Sequence, residues 1–407
     1  MAHLSFLDNI HDARAFFEQS AAANKEAHSY PFLQYEFLAA LEDSGSVGSD
    51  SGWDVCHAVL HEGDTSDSSI IAFCPLYKKS DSYGEYVFDH AWAQAYYQHG
   101  LNYYPKWVNA IPFSPVTGPR AVGAIDAIQT LYQYLDAHLQ QAMQEALEAA
   151  AKLTTQGDAY AEGIASHISG LHILFPNQAL TGTLDTLNFA IRKNVNFQWF
   201  NRDYHAFDDF LDAFSSRKRK NTRKERAKIL DSGITLERLT GDAISPKAWS
   251  AFLVFYQQTY LKRSGHTGYL TEDFFHRLYA SPLKNQLLLV MAVKDDQYIG
   301  GALYFYDDDC LYGRYWGCTE EAKFLHFEAC YYQGIEFCIE RGLQRFDPGV
   351  QGEHKLQRGF EPVYTYSYHK LSLPPFQQAI QRFVTEEAKH HEAYLKQART
   401  YLPFKKE

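Results

Sequence analysis

No apolar run in the chain approaches the length needed to cross a bilayer. The N-terminus, Met1-Ala-His-Leu-Ser-Phe-Leu-Asp-Asn-Ile10, has neither a basic leader nor a long apolar centre, as a secretion signal requires. Both absences predict a cytoplasmic protein without a transmembrane segment. Paired cysteines are missing too: Cys56, Cys74, Cys310, Cys318, Cys330 and Cys338 form no Cys-x-x-Cys. They sit in apolar runs and read as small buried hydrophobes in a reducing compartment. His390-His391 has no partner ligands at usable spacing, so no structural metal is expected. Positive charge is also short, and a net charge of −11 argues against general adhesion to nucleic acid.

What is present is length and apolar mass. At 407 residues, 46% hydrophobic and 15% aromatic, the chain exceeds one ordinary core and predicts two. One segment opposes the acidic balance. Arg217-Lys-Arg-Lys-Asn-Thr-Arg-Lys-Glu-Arg-Ala-Lys228 carries +7, which leaves −18 for the rest. On a helix Arg219, Arg223 and Arg226 share a face, and Glu225 alone cannot neutralise them. Their repulsion calls for acids elsewhere or an anionic ligand, with Lys220 beside them. Coenzyme phosphates, a tRNA backbone or a polyanionic precursor would serve.

Periodicity orders the elements. Helical spacing runs from Asp8 to Glu42, followed by strand-like runs at Trp53–Leu60, Ser69–Tyr77 and Tyr83–Asp89. The aromatic segment Trp92 to Trp107, with Tyr97 inside it, either lines a cleft for a sugar or acyl chain or fills a core. A helix over Val122–Leu153 and strands at Ile168–Phe175 and Phe197–Phe200 follow. The second half repeats the order. A helix over Tyr204–Leu230 leads to a strand at Ile234–Leu239 and a helix at Pro246–Lys262. A meander (Leu287–Val293, Tyr298–Tyr306, Leu311–Cys318) turns at Asp295-Asp296 and Asp307-Asp308-Asp309. Helix 325–341, strands 343–347 and 363–371, and a final amphipathic helix Phe376–Tyr401 complete the chain. This predicts an α/β (α+β) tandem of two mixed-sheet domains, 1–196 and 197–373, with a C-terminal helix in 374–407.

That layout is the layout of the acetyltransferase (GNAT) fold, and a tandem of such domains resembles the FemAB-type aminoacyltransferases. Pro112 to Arg120, Phe197 to Asn201, Arg217 to Arg226, Phe324 to Ile335 and Arg341 to Lys355 are similar to the FemAB-like family of N-acyltransferases, whose label is peptidoglycan biosynthesis/recognition. The resemblance implies transfer of an acyl or aminoacyl group from a coenzyme A thioester or aminoacyl-tRNA. The acceptor it implies is an amine, such as a cell-wall precursor. One departure stands out: where an acetyltransferase wraps the coenzyme pyrophosphate in a glycine-rich loop, this chain reads Cys318-Thr-Glu-Glu-Ala-Lys-Phe324. Two carboxylates there are electrostatically wrong for phosphate.

Acyl transfer to an amine needs a base, an oxyanion donor and an acid for the leaving group. Candidate bases are His326 and Glu328 at a helix start and Glu353 or His354 after Asp347. Tyr315, Tyr331 and Tyr332 are candidate proton donors, and backbone near Tyr315-Trp316-Gly317 is an oxyanion candidate if the sheet splays there. Lys355 and Arg358 join Asp347, Glu353 and His354 in a cluster just past a strand end. Trp92 and Tyr97 are candidate substrate contacts. The turn after Phe346 is expected to open into a crevice between the lobes, facing the cationic helix. Two alternatives carry other chemistry. A degenerate pair would recognise a precursor or nucleic acid without turnover, and Asp347…Glu353-His354-Lys355 imitates the acidic pattern of metal-dependent nucleases.

Overall fold

The computed structural model describes residues 2–20, 29–152, 167–350 and 352–405. The parts of the expected helices at 21–28 and Leu153 lie outside them. The chain forms two compact units, residues 1–194 with 365–391 and residues 195–364 with 392–407. Strands follow in chain order: β1 His3–Leu7, β2 Trp53–Val55, β3 His57–His61, β4 Ile70–Cys74, β5 Tyr77–Lys79, β6 Lys106–Asn109, β7 Val122–Gly123 and β8 Gly170–Leu174. Then come β9 Ala190–Phe200, β10 Thr235–Thr240, β11 Leu287–Lys294, β12 Gln297–Tyr306, β13 Cys310–Cys318, β14 Arg345–Asp347 and β15 Glu361–Leu371.

In the first unit, β1, β3, β4 and β7 form an antiparallel sheet. A second group runs β2-β5-β6-β8-β15, antiparallel except for the parallel pair β6–β8. Two expected strands therefore divide between sheets. The Trp53–Leu60 run breaks after Val55 and the Ser69–Tyr77 run at Pro75, which has no N–H to continue a ladder. Tyr83–Asp89 forms no strand; it leads into the helix His90–Gln98. The long helix Ile125–Lys152 places Ile128, Leu131, Leu135 and Leu139 at helical spacing in the core, against Leu171 and Ile173 of β8.

The second unit is ordered β10-β11-β12-β13-β14-β9, antiparallel throughout except the parallel pair β13–β14. The meander β11–β13 stands where its alternation and Asp turns place it, with Asp295 and Asp296 in the left-handed region such turns require. The succession antiparallel, parallel, antiparallel in β12–β13–β14–β9 repeats that of β5–β6–β8–β15. The fold is thus a tandem of GNAT-like mixed sheets. The core of this unit joins Trp199, Phe210, Phe214, Phe346 and Phe360 to Ile335 and Cys338 of the helix after β13. The expected Tyr204–Leu230 helix is two, Phe207–Asp212 and Ser216–Asp231, and the helix Glu272–Ala280 was not anticipated.

Candidate functional site

Parallel pairing between β13 and β14 lasts only from Cys310–Arg345 to Tyr312–Asp347. Beyond it β14 ends at Pro348-Gly349, while β13 continues to Cys318. A bulge marks the divergence: Leu303 faces Tyr315 and Tyr304 faces Gly313, so Arg314 is the extra residue. A cavity of about 330 Å³ opens here, walled by Gly313, Arg314 and Tyr315 on one side and Pro348 and Val350 on the other. Thr259, Tyr260, Arg263 and Ser264 of the helix Pro246–Ser264 close one end, and His326, Cys330, Tyr331 and Lys355 another. An adjoining groove of about 650 Å³ shares Thr259, Arg263, Trp316 and His326 and runs past Lys262, Cys318 and Glu321.

Local sequence explains how Lys355 reaches the cavity wall. Gly349, Gly352 and Gly359 hold positive φ, and between the last two Glu353–Arg358 coil as a 3-10 turn. Its tight repeat turns Lys355 and Arg358 inward and leaves Glu353 outside. Lys355 is 2% exposed and donates to the Gly349 carbonyl at 2.7 Å. Burial pushes its amine down to about 8, against the pull of the nearby Asp347 carboxylate. Asp347 is buried and held by Gln198 Nε2 at 3.0 Å and the Gly349 N–H at 2.9 Å. Burial raises its carboxyl.

His326 lines both hollows. Burial and then the neighbouring His354, Arg263, Lys355 and Arg358 push its imidazole down to about 4, so it is neutral at pH 7. Tyr331 Oη lies 2.9 Å from Nε2 of the exposed His354. Burial raises the Tyr331 phenol, which stays protonated. His326 and Tyr331 are set by an irregular helix: Phe324 at φ +73° starts it, Leu325–Phe327 is α, Glu328–Tyr332 is π, and Gln333–Arg341 is α again. Such π segments turn side chains off the regular helical phase.

The family model described as peptidoglycan biosynthesis/recognition matches residues 16–406. The chain belongs to the FemAB-like family. Among solved structures this FemAB-like chain is similar to FemX, at 12% identity over 93% of this chain and 100% of that one, with a TM-score of 0.45. It is also similar to L-PGS from Bacillus licheniformis (12% identity, 86% and 96% covered, TM-score 0.45). A third is a tandem GNAT protein from the clavulanic acid biosynthesis pathway (10% identity, 92% and 99% covered, TM-score 0.43). No curated protein matches it in sequence.

The FemAB-like chain brings together only part of the expected site. His326, Tyr315, Trp316, Tyr331 and Lys355 share one hollow or its neighbour. His354 touches it through Tyr331, and Asp347 stands behind Lys355. Glu353 is exposed, accepts from Tyr394 Oη at 2.7 Å and lines neither hollow. Glu328 is 4% exposed and engaged by Arg226 and Gln333, so its carboxylate is committed rather than poised as a base.

The arginines expected to meet an anion or acids elsewhere have carboxylates beside them: Arg219 with Asp212 at 2.7 Å, Arg223 with Asp208 at 2.8 Å, and Arg226 with Glu328 and Glu336. Lys220 is exposed on the same helix. It is the acid of the basic run that faces the turn: Glu225 takes Arg358 at 2.9 Å and Tyr332 Oη at 2.6 Å. Arg358 also lies 3.4 Å over the Phe327 ring, a clasp rather than a cavity wall. Trp92 is packed with Tyr96 and Tyr103 in the first unit's core, 4.7 Å from His369, while Tyr97 is exposed. Arg263, Thr259 and Arg314 were missed. Lys262-Arg263-Ser264-Gly265 reads only as a cationic helix end, and nothing in sequence marks the bulge at Arg314.

Among the described residues no helix is long and apolar enough to cross a membrane. The two glutamates of the 318–324 segment are tied to lysines, Glu320 to Lys294 and Glu321 to Lys262. With Arg263 added, the groove that Glu321 and Lys262 border carries cations as well as acid, which eases the expected clash with phosphate.

Proposed function

We propose that the protein is an N-acyltransferase that moves an acyl or aminoacyl group to an amine, with the opening between β13 and β14 as the place of transfer. The observation that carries this reading is a buried amine, Lys355, held down at about 8 in the wall of that opening. A base of that strength, partly unprotonated near pH 8, takes the one proton that a neutral attacking amine sheds as its C–N bond forms. The acceptor nitrogen attacks the acyl carbonyl as its proton passes to Lys355. The C–N bond forms, the C–S bond of a thioester or the C–O bond of an aminoacyl ester breaks, and the leaving atom takes a proton. Tyr331, hydrogen-bonded to His354, gives that proton and is recharged through His354 and solvent. Arg263, common to cavity and groove, meets the donor's phosphate, whether in coenzyme A or at the end of a tRNA. The family supports a cell-wall precursor as the acceptor.

The test offers acyl-coenzyme A and aminoacyl-tRNA separately, each with amine-bearing cell-wall precursors, and reads amide product by mass spectrometry. One donor is expected to turn over, and Lys355→Gln to lower kcat/KM by about 10²–10⁴-fold. In the parent protein the rate rises with pH through about 8, the Lys355 value; in the variant that step is lost. Donor or precursor bound without product from either donor would make the protein a recognition module. Full activity of Lys355→Gln would remove Lys355 from the mechanism.

A further inference from the structure

The helix Ser216–Asp231 divides its charges by face. Arg219, Arg223 and Arg226 turn toward Asp212, Asp208, Glu328 and Glu336. Thr222 and Ile229 are the helix's buried residues, and Glu225 is bonded to Arg358 and Tyr332. The opposite face is another matter. Arg217, Lys220, Lys224 and Lys228 are exposed and recur at i, i+3, i+7 and i+11, a stripe about 16 Å long at 1.5 Å per residue. Among the described residues none of the four has an ion-pair partner, and Asp231 is the only acid on that face.

The stripe ends beside a half-buried aromatic side chain, Phe324. Lys228 and Lys323 converge on the Phe324 ring, 5.7 and 5.2 Å from its centroid. Phe324 lies between Ala322 and Leu325, which line the groove beside the candidate site.

We infer that this face docks the protein on an anionic lipid surface, with the groove mouth at its edge. Charge complementarity selects an anionic partner, since four cations stand against one acid on a protein of net charge −11. The kind of cation selects the lipid. Three of the four are lysines, which bind as point charges on flexible stems. The arginines of the helix, whose planar forks suit phosphodiester recognition, are, Arg217 apart, paired with carboxylates. The helix itself carries no aromatic residue to stack on bases. A half-buried phenylalanine flanked by two ammonium groups suits the boundary between headgroups and acyl chains. This inference does not depend on acyl transfer.

The experiment is sedimentation of the full chain with phosphatidylglycerol–phosphatidylcholine vesicles and with pure phosphatidylcholine vesicles. Binding is expected only to the anionic vesicles and is released by salt. Lys220→Gln/Lys224→Gln/Lys228→Gln should cut partitioning on the order of a hundredfold, since each surface cation contributes about a five-fold factor. The Lys→Arg triple variant should keep it, and matched melting curves show that both fold. Equal sedimentation with neutral vesicles, or undiminished binding by the Gln variant, overturns the inference. Tight, salt-sensitive binding to duplex RNA with none to vesicles overturns it in favour of a nucleic-acid surface.

Discussion

Lys355 links the energetics of the candidate site to its chemistry. In the unfolded chain its amine returns to about 10.5, while burial holds it at about 8 in the folded one. Between those values the unfolded state keeps a proton that the folded state has released, so stability rises with pH through that window. Below pH 8 the full cost of the buried ammonium is present, about 3 kcal/mol. Lys355→Met removes the titrating group. The stability of the parent minus that of the variant, from urea unfolding, should therefore climb between pH 8 and 10.5 and be flat on either side. A difference that does not change with pH would mean the amine is solvated. Sequence brought Asp347, Glu353, His354, Lys355 and Arg358 together because they crowd one strand end. It could not tell which of them faces inward, because that depends on the phase of a 3-10 turn set by Gly352 and Gly359.

At the scale of elements, the site depends on how closely the helix Pro246–Ser264 lies on β13. Gly317 makes that approach possible: a Cβ there would stand 2.1 Å from the Phe255 carbonyl oxygen, a backbone atom with nowhere to turn. Gly317→Ala should cost about 1–3 kcal/mol or more, as overpacking does. It should also lower activity, because the displaced helix carries Thr259, Tyr260 and Arg263 into the cavity wall. Gly301, the residue opposite in β12, is the control. Its Cβ would meet Met291 Sδ at 2.7 Å, and a methionine can rotate away, so Gly301→Ala should cost less. Equal losses in thermal unfolding would refute the argument.

Legibility followed the same division. The β11–β13 meander was readable because its alternation and Asp turns agree with each other. The first-unit strands were not, because a strand-like run without glycine or proline, such as Trp53 to Leu60, does not say that its two ends join different sheets. That the basic run needs negative charge beside it was likewise readable, though acids and an anionic ligand were both open. The identity of the acids was not: Asp208 and Asp212 lie on a separate short helix, and Glu328 and Glu336 about a hundred residues away in sequence.

On the scale of the whole molecule, the tail beyond β15 serves both units. Ile380 and Val384 sit in the first unit's core with Trp92, Tyr96 and Tyr103. Gln377 accepts from the Leu371 N–H at 2.7 Å. Further along, Ala398 joins the second unit's core, Phe404 packs on Phe214, and the Ser215 N–H reaches the Pro403 carbonyl at 2.9 Å. Each large apolar side chain buried this way contributes about 1.5–3 kcal/mol, and the sum approaches the total stability of an ordinary domain. A chain ending at Leu373 should therefore lack a cooperative unfolding transition in either unit. A chain ending at His391 keeps the first unit's share and loses Tyr394, Ala398 and Phe404. It should retain hydrogen-exchange protection over β6 and β8 while losing it over 197–214 and 353–360. Native protection in both regions of the His391-terminated chain would show that the last residues are dispensable, and that the turn carrying Lys355 holds its place without them.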